Sequence, residues 1–130
     1  MKGLDIKQKV LLAYYTEYQK DLPDMESITA EKLELSNDVF IVALQKLVNE
    51  GLITNVEFVV GGREKLPVMV NTKLLMVSPR GLSYVESKLN INPTDTGEEK
   101  TSTVVKRLTE WGYNELKDIT VKVAAELIKG

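Results

Sequence analysis

The chain has 130 residues, 43% of them hydrophobic and 28% charged, and a formal net charge of −2. These proportions suit one folded domain, or a small domain with an arm, and exclude wholesale disorder. Histidine and cysteine are both absent, which removes the usual zinc ligands, thiol chemistry, disulfide bonds and every histidine-based triad. In chain order, the first predicted helix covers Lys7 to Asp21, where Val10, Leu11, Ala13, Tyr14 and Tyr18 recur at helical spacing. Asp5 is placed to cap its start, and Asp21-Leu22-Pro23-Asp24 to end it.

Ser27-Ile28 offers a small extra strand. Thr29 then caps a short helix from Ala30 to Leu35, with Leu33 and Leu35 as its apolar contacts. Ser36 caps a third helix from Asn37 to Glu50, and Gly51 suits its C-terminal turn. Phe40, Ala43, Leu44 and Leu47 form the buried stripe of that helix. After Gly51 the period changes to two. Val56, Phe58 and Val60 alternate with Asn55, Glu57 and Val59, which predicts a strand, and Gly61-Gly62 can turn it. A second strand is expected within Lys65 to Val77, with Pro67 on an edge and Asn71-Thr72 as an interruption. Ser78-Pro79 starts another helix, through Leu82, Val85 and Leu89. Asn90 to Gly97 has the composition of a linker.

Glu98 to Lys129 contains no proline and repeats Val105, Leu108, Trp111, Leu116, Ile119, Val123 and Leu127 at helical spacing. A continuous helix of that length would reach about 48 Å, so it must break, for which Gly112 is suited, or extend beyond its own domain. The element order is that of an α+β winged helix-turn-helix domain with a long additional C-terminal helix. The corresponding division is residues 1–89 for the winged-helix domain, 90–97 for the linker, and 98–130 for an arm or packed-back helix.

Several segments carry a family resemblance: Ile28-Thr29-Ala30-Glu31-Lys32-Leu33, Phe40 to Leu47, Asn49-Glu50-Gly51-Leu52-Ile53, Gly61-Gly62-Arg63-Glu64 and Ser78 to Val85. Together with the lysine-rich last helix, they resemble the YjcQ-like proteins of Gram-positive bacteria and their phages. The resemblance implies a winged-helix fold and a phage or prophage setting. It implies no catalytic residues.

In a winged helix, the third helix enters the major groove and the hairpin touches phosphates. Asn37, Ile41, Gln45, Lys46 and Asn49 are expected to point outward. Of these, Asn37, Gln45, Lys46 and Asn49 are the candidates for reading DNA. Arg63, Lys65 and Lys73 are the candidate hairpin cations. Phe58 to Leu82 holds four cations against one carboxylate, whereas Glu17 to Asp38 holds two against seven. The first balance favours duplex DNA as partner. The second would repel it, and favours a protein-interaction module that does not bind DNA. A homodimer is expected through Ile41, Val48, Leu108, Trp111, Leu116, Ile119 and Val123.

No enzyme is expected. Gly61 to Lys65 lacks the spacing of a phosphate loop, Ser36 and Ser78 read as caps, and the paired carboxylates lie at helix ends. No cofactor or metal is expected. No apolar run approaches the roughly 20 residues that span a bilayer. Met1-Lys2-Gly3-Leu4-Asp5 has no signal-peptide core, so a cytoplasmic location and no membrane partner are expected.

Overall fold

The computed structural model describes residues 4–62, 67 and 69–110. Helix α1 spans Ile6–Tyr18. Asp5 starts it through a capping box: its carboxylate accepts from the Gln8 N–H at 2.7 Å, while Gln8 Oε1 accepts from the Asp5 N–H at 2.9 Å. Residues Val10 through Glu17 are buried without a break. A helix buried all round must be enclosed by other elements, and α1 becomes the hub of the fold. It ends earlier than expected because the N–H groups of Gln19 and Lys20 turn back to Thr16 and Glu17.

A 3-10 turn at Met25–Ser27 replaces the strand expected at Ser27-Ile28. The helix expected from Ala30 to Leu35 is a single turn. Thr29 Oγ1 caps it by accepting from Lys32 N–H. Glu34 then adopts a left-handed backbone, φ 58°, and closes the turn. Glu34 N–H donates to Glu31 O and Leu35 N–H to Ala30 O, the paired bonds of a Schellman motif. The same closure, at Gly51 (φ 73°), ends helix α2, Asn37–Asn49. There Gly51 N–H donates to Val48 O, and Leu52 N–H to Leu47 O.

Strands β1 (Ile53–Thr54), β2 (Glu57–Val59), β3 (Met69–Asn71) and β4 (Met76–Val77) form two antiparallel pairs, β1 with β4 and β2 with β3. The register sets Phe58 opposite Val70 and Val59 opposite Met69. Asn55, at φ 62°, separates β1 from β2; of the interruption expected at Asn71-Thr72, Asn71 is the last residue of β3 and Thr72 lies between β3 and β4. The inward alternation stops short of Val60, which is exposed.

Helix α3, Pro79–Leu89, begins at Ser78, whose hydroxyl accepts from Gly81 N–H and donates to Gly51 O at 2.6 Å. One serine thus ties the end of α2 to the start of α3. The expected linker is an ordered reversal. Asn90 takes the left-handed backbone, Ile91 N–H donates to Glu86 O at 2.8 Å, and Ile91 is buried. Helix α4, Gly97–Glu110, starts with a second capping box, between Thr96 and Glu99. It packs on α1 and α3, burying Thr101, Val104 and Leu108. Arg107 Nε donates to Leu89 O at 2.7 Å, placing a cation at the C-terminal end of α3. Residues from Trp111 onward, with the expected break at Gly112, lie outside the described residues. The described fold is α+β, with four α-helices and two small antiparallel sheets.

Gly81 is held by close approach. A Cβ there would collide with the Leu52 carbonyl, which already accepts from Ser78 N–H. Gly81→Ala should cost about 2–3 kcal/mol in urea unfolding, whereas Ser83→Ala on the exposed side of the same helix should stay within about 0.5 kcal/mol.

Candidate nucleic-acid interface

The Ser36 hydroxyl starts α2 by accepting from Val39 N–H at 3.2 Å. From there the helical period decides which side chains face out. Phe40, Ala43, Leu44 and Leu47 turn inward to the core. Asp38, Val42, Gln45 and Asn49 are spaced four, three and four residues apart, so they form one line on the opposite side. Asp38 and Asn49 are exposed, while Val42 and Gln45 are half-buried. Lys46 is exposed on the flank of that line, beside a groove lined by Ile6, Lys7, Val39 and Val42. Among the described residues, no hydrogen bond or ion pair engages the side chains of Asp38, Gln45, Lys46 or Asn49. Asn37 is exposed at the edge nearer the hairpin, in a cleft shared with Met69, Val70 and Thr72.

Two expected interface positions need correction. Ile41 does not point outward: it is 1% exposed. One residue past Phe40 on the helix, it turns toward the same cleft as Ile28, Met69 and Val70, and the chain itself covers it. Leu108 is 0% exposed, because α4 lies on α1 and α3 and spends this side chain on the core. Val48 remains exposed. Trp111, Leu116, Ile119 and Val123 lie outside the described residues, as do Arg63 and Lys65. Lys73 is exposed in the turn between β3 and β4, where its N–H donates to Asn71 Oδ1 at 3.0 Å.

The hairpin carries a feature that the sequence pattern does not announce. Val59 and Met69, direct cross-strand partners, are 45% and 57% exposed. Leu74 and Met76 are exposed as well. Phe58 and Val70 face inward, so the pleat turns the apolar pair to solvent on the same side as the polar pair Glu57 and Asn71. The alternation around Phe58 marks Val59 as outward. Its pairing with Met69 depends on register, which no local pattern supplies.

The buried polar groups form a structural cluster. Tyr15 O–H donates to Glu86 Oε2 at 2.8 Å, and Lys100 Nζ stands 2.8 Å from the same oxygen. This joins α1, α3 and α4 inside the fold. Glu17, 1% exposed, accepts from Asp24 N–H through Oε2, and Lys20 Nζ lies 3.5 Å from its other oxygen. Among the described residues, no group of three or more acidic side chains is arranged to hold a metal ion, and no helix is long and apolar enough to cross a membrane.

Comparison with protein-family models, with curated proteins and with solved structures finds no match to this chain.

Burial holds the phenols of Tyr14 and Tyr15 protonated well above their ordinary value of 10.0, and the Glu86 carboxylate reinforces this at Tyr15. Below about pH 10, folded and unfolded chains both keep these protons, so the stabilisation is complete. Above that pH, the unfolded chain releases protons that the folded chain retains, and stability should fall by roughly 1 kcal/mol per pH unit for each phenol. Tyr14→Phe, which removes the hydroxyl that stands 3.5 Å from Ile28 O and interacts with Thr72, should remove about half of that slope in alkaline urea titrations.

Proposed function

We propose that this chain is a winged-helix domain that binds duplex DNA, with α2 as the helix that enters the major groove and the β2–β3 hairpin as the wing. The observation that carries this reading is the outward side of α2, where the half-buried amide of Gln45, the exposed amide of Asn49 and the exposed Lys46 on their flank have no hydrogen-bond or ion-pair partner among the described residues. Amides and lysine on a helix face are the groups that pair with base edges and phosphates. The element order and the resemblance to the YjcQ-like proteins support the same reading, in a regulator-like role tied to phage or prophage. No catalytic step is assigned to it.

A second reading has its own observation. The exposed Val59–Met69 pair is apolar where a wing on phosphates gains from cations. It favours a winged-helix module that docks on another protein. Salt separates the two. If DNA is bound through the wing, affinity falls steeply with salt, and Arg63→Ala with Lys65→Ala shallows the slope of log affinity against log salt by about two. Absence of binding to genomic fragments at low salt moves the reading to the protein module.

We also propose a homodimer, resting on Val48 and on the apolar repeat from Trp111 to Leu127. Light scattering on the intact chain at high micromolar concentration should give twice 14.6 kDa. Truncation after Glu110 keeps Val104 and Leu108 in the core and should give a folded monomer. A monomeric intact chain overturns the dimer.

A further inference from the structure

Resting on the DNA-binding reading, we propose that the outward line of α2 reads adenine–thymine pairs, with Gln45 and Asn49 as the specificity-determining residues. Asp38 to Asn49 covers eleven residue steps, about 16 Å of helix, which matches roughly five base pairs at 3.4 Å each. Within it, Gln45 and Asn49 stand one turn apart, about 6 Å, or roughly two base pairs. Each amide carries one acceptor and a two-hydrogen donor. That pattern complements the N7 acceptor and N6 donor of adenine, and mismatches the two adjacent acceptors of guanine. Val42, a turn before, presents methyl groups suited to the thymine C5 methyl.

The chemistry on either side of the line points the same way. Guanine is most often read by arginine or lysine, and α2 contains no arginine. Its one lysine, Lys46, stands on the flank, where it reaches a phosphate rather than the base edge in front of Gln45 and Asn49. Asp38, at the N-terminal end of the line, can accept only from a donor such as cytosine N4, and it repels nearby phosphates. The predicted contact is therefore two adenines about two base pairs apart, with a thymine toward the side of Val42.

The test is selection by the full-length protein from a duplex library randomised over one and a half helical turns, at low salt, followed by titration of single duplexes. Enrichment of adenines at the predicted spacing is expected. Gln45→Ala and Asn49→Ala should each weaken the selected duplex on the order of ten-fold, and lose that effect when the matching adenine is replaced. Both positions are at least partly open to solvent, and circular dichroism of each variant should match that of the parent. Two results overturn the inference while leaving the DNA-binding reading in place. One is a selected pool rich in guanine or without base preference. The other is an equal loss on every duplex for both variants. Failure to retain any duplex at low salt overturns the DNA-binding reading and this inference with it.

Discussion

The uninterrupted burial of Val10 to Glu17 is the constraint on which the remaining architecture depends. A helix on a domain surface can leave one side in water. This one cannot, and its polar atoms must find partners inside. Tyr15 finds Glu86 on α3, Glu17 accepts from the Asp24 backbone, and Thr16 bonds back to Ala13. Enclosure comes from α2, α3, α4 and β4, all of which contact α1. The ion pair of Lys100 with Glu86 is half of this arrangement. It joins α4 to α3 beside the hub, and removing one partner alone would leave a charge in a poorly solvated place.

Enclosing one helix with short elements requires sharp reversals, and the chain makes three of them by one device. Glu34, Gly51 and Asn90 each adopt a left-handed backbone, and an apolar residue follows each: Leu35, Leu52 and Ile91. The paired bonds satisfy carbonyls that a helix end would otherwise leave open. Leu52 and Ile91 are then buried, so each of those two reversals also places a core side chain. Glycine at 51 adopts this backbone without strain. Glutamate at 34 does so at a cost, which the closing bonds of the turn offset. The two close contacts of Gly81 with Leu52 and of Gly97 with Gln19 complete the packing around those reversals.

Local chemistry is legible in the residue types themselves. Asp5, Ser36 and Ser78 cap helices as their side chains imply, Gly51 ends α2, and the period of two marks the hairpin. What depends on tertiary context is not legible in this way. Thr29 marks a helix start at Ala30, yet the left-handed Glu34 stops it after one turn, and nothing in a glutamate announces that conformation. Asn90 to Gly97 looks like a linker, because Ile91 is the only apolar residue in a polar run, and only packing shows it as an anchor. Ile41 is one position beyond the Phe40 stripe. Whether such a residue meets solvent or chain depends on the hairpin folded beside it, whose register is a long-range property. The candidate reading positions on α2 stand out in the sequence because they lie opposite the stripe. The apolar pair on the hairpin does not, because it exists only across two strands.

Electrostatics sharpens what a net charge of −2 means for a partner. Attraction at contact depends on charges within about a Debye length, roughly 8–10 Å in physiological salt, and distant carboxylates are screened. Several carboxylates are already committed within the chain: Glu86 to Lys100 and Glu17 to a backbone amide inside the fold, and Glu50 to Lys7 at its surface. Glu50 is the instructive case. It stands at the C-cap of α2, where its charge would face the negative end of the helix dipole and whatever approaches that end. Lys7, at 2.7 Å, neutralises it, and the Glu50 carboxylate in turn holds the Lys7 ammonium above its usual lysine range. The same pairing spends a lysine that would otherwise add to the positive field beside α2. On the outward line of α2 itself Asp38 is the one charge, and Lys46 stands on its flank. The other three positions, Val42, Gln45 and Asn49, are neutral, so this line offers shape and hydrogen bonding more than charge.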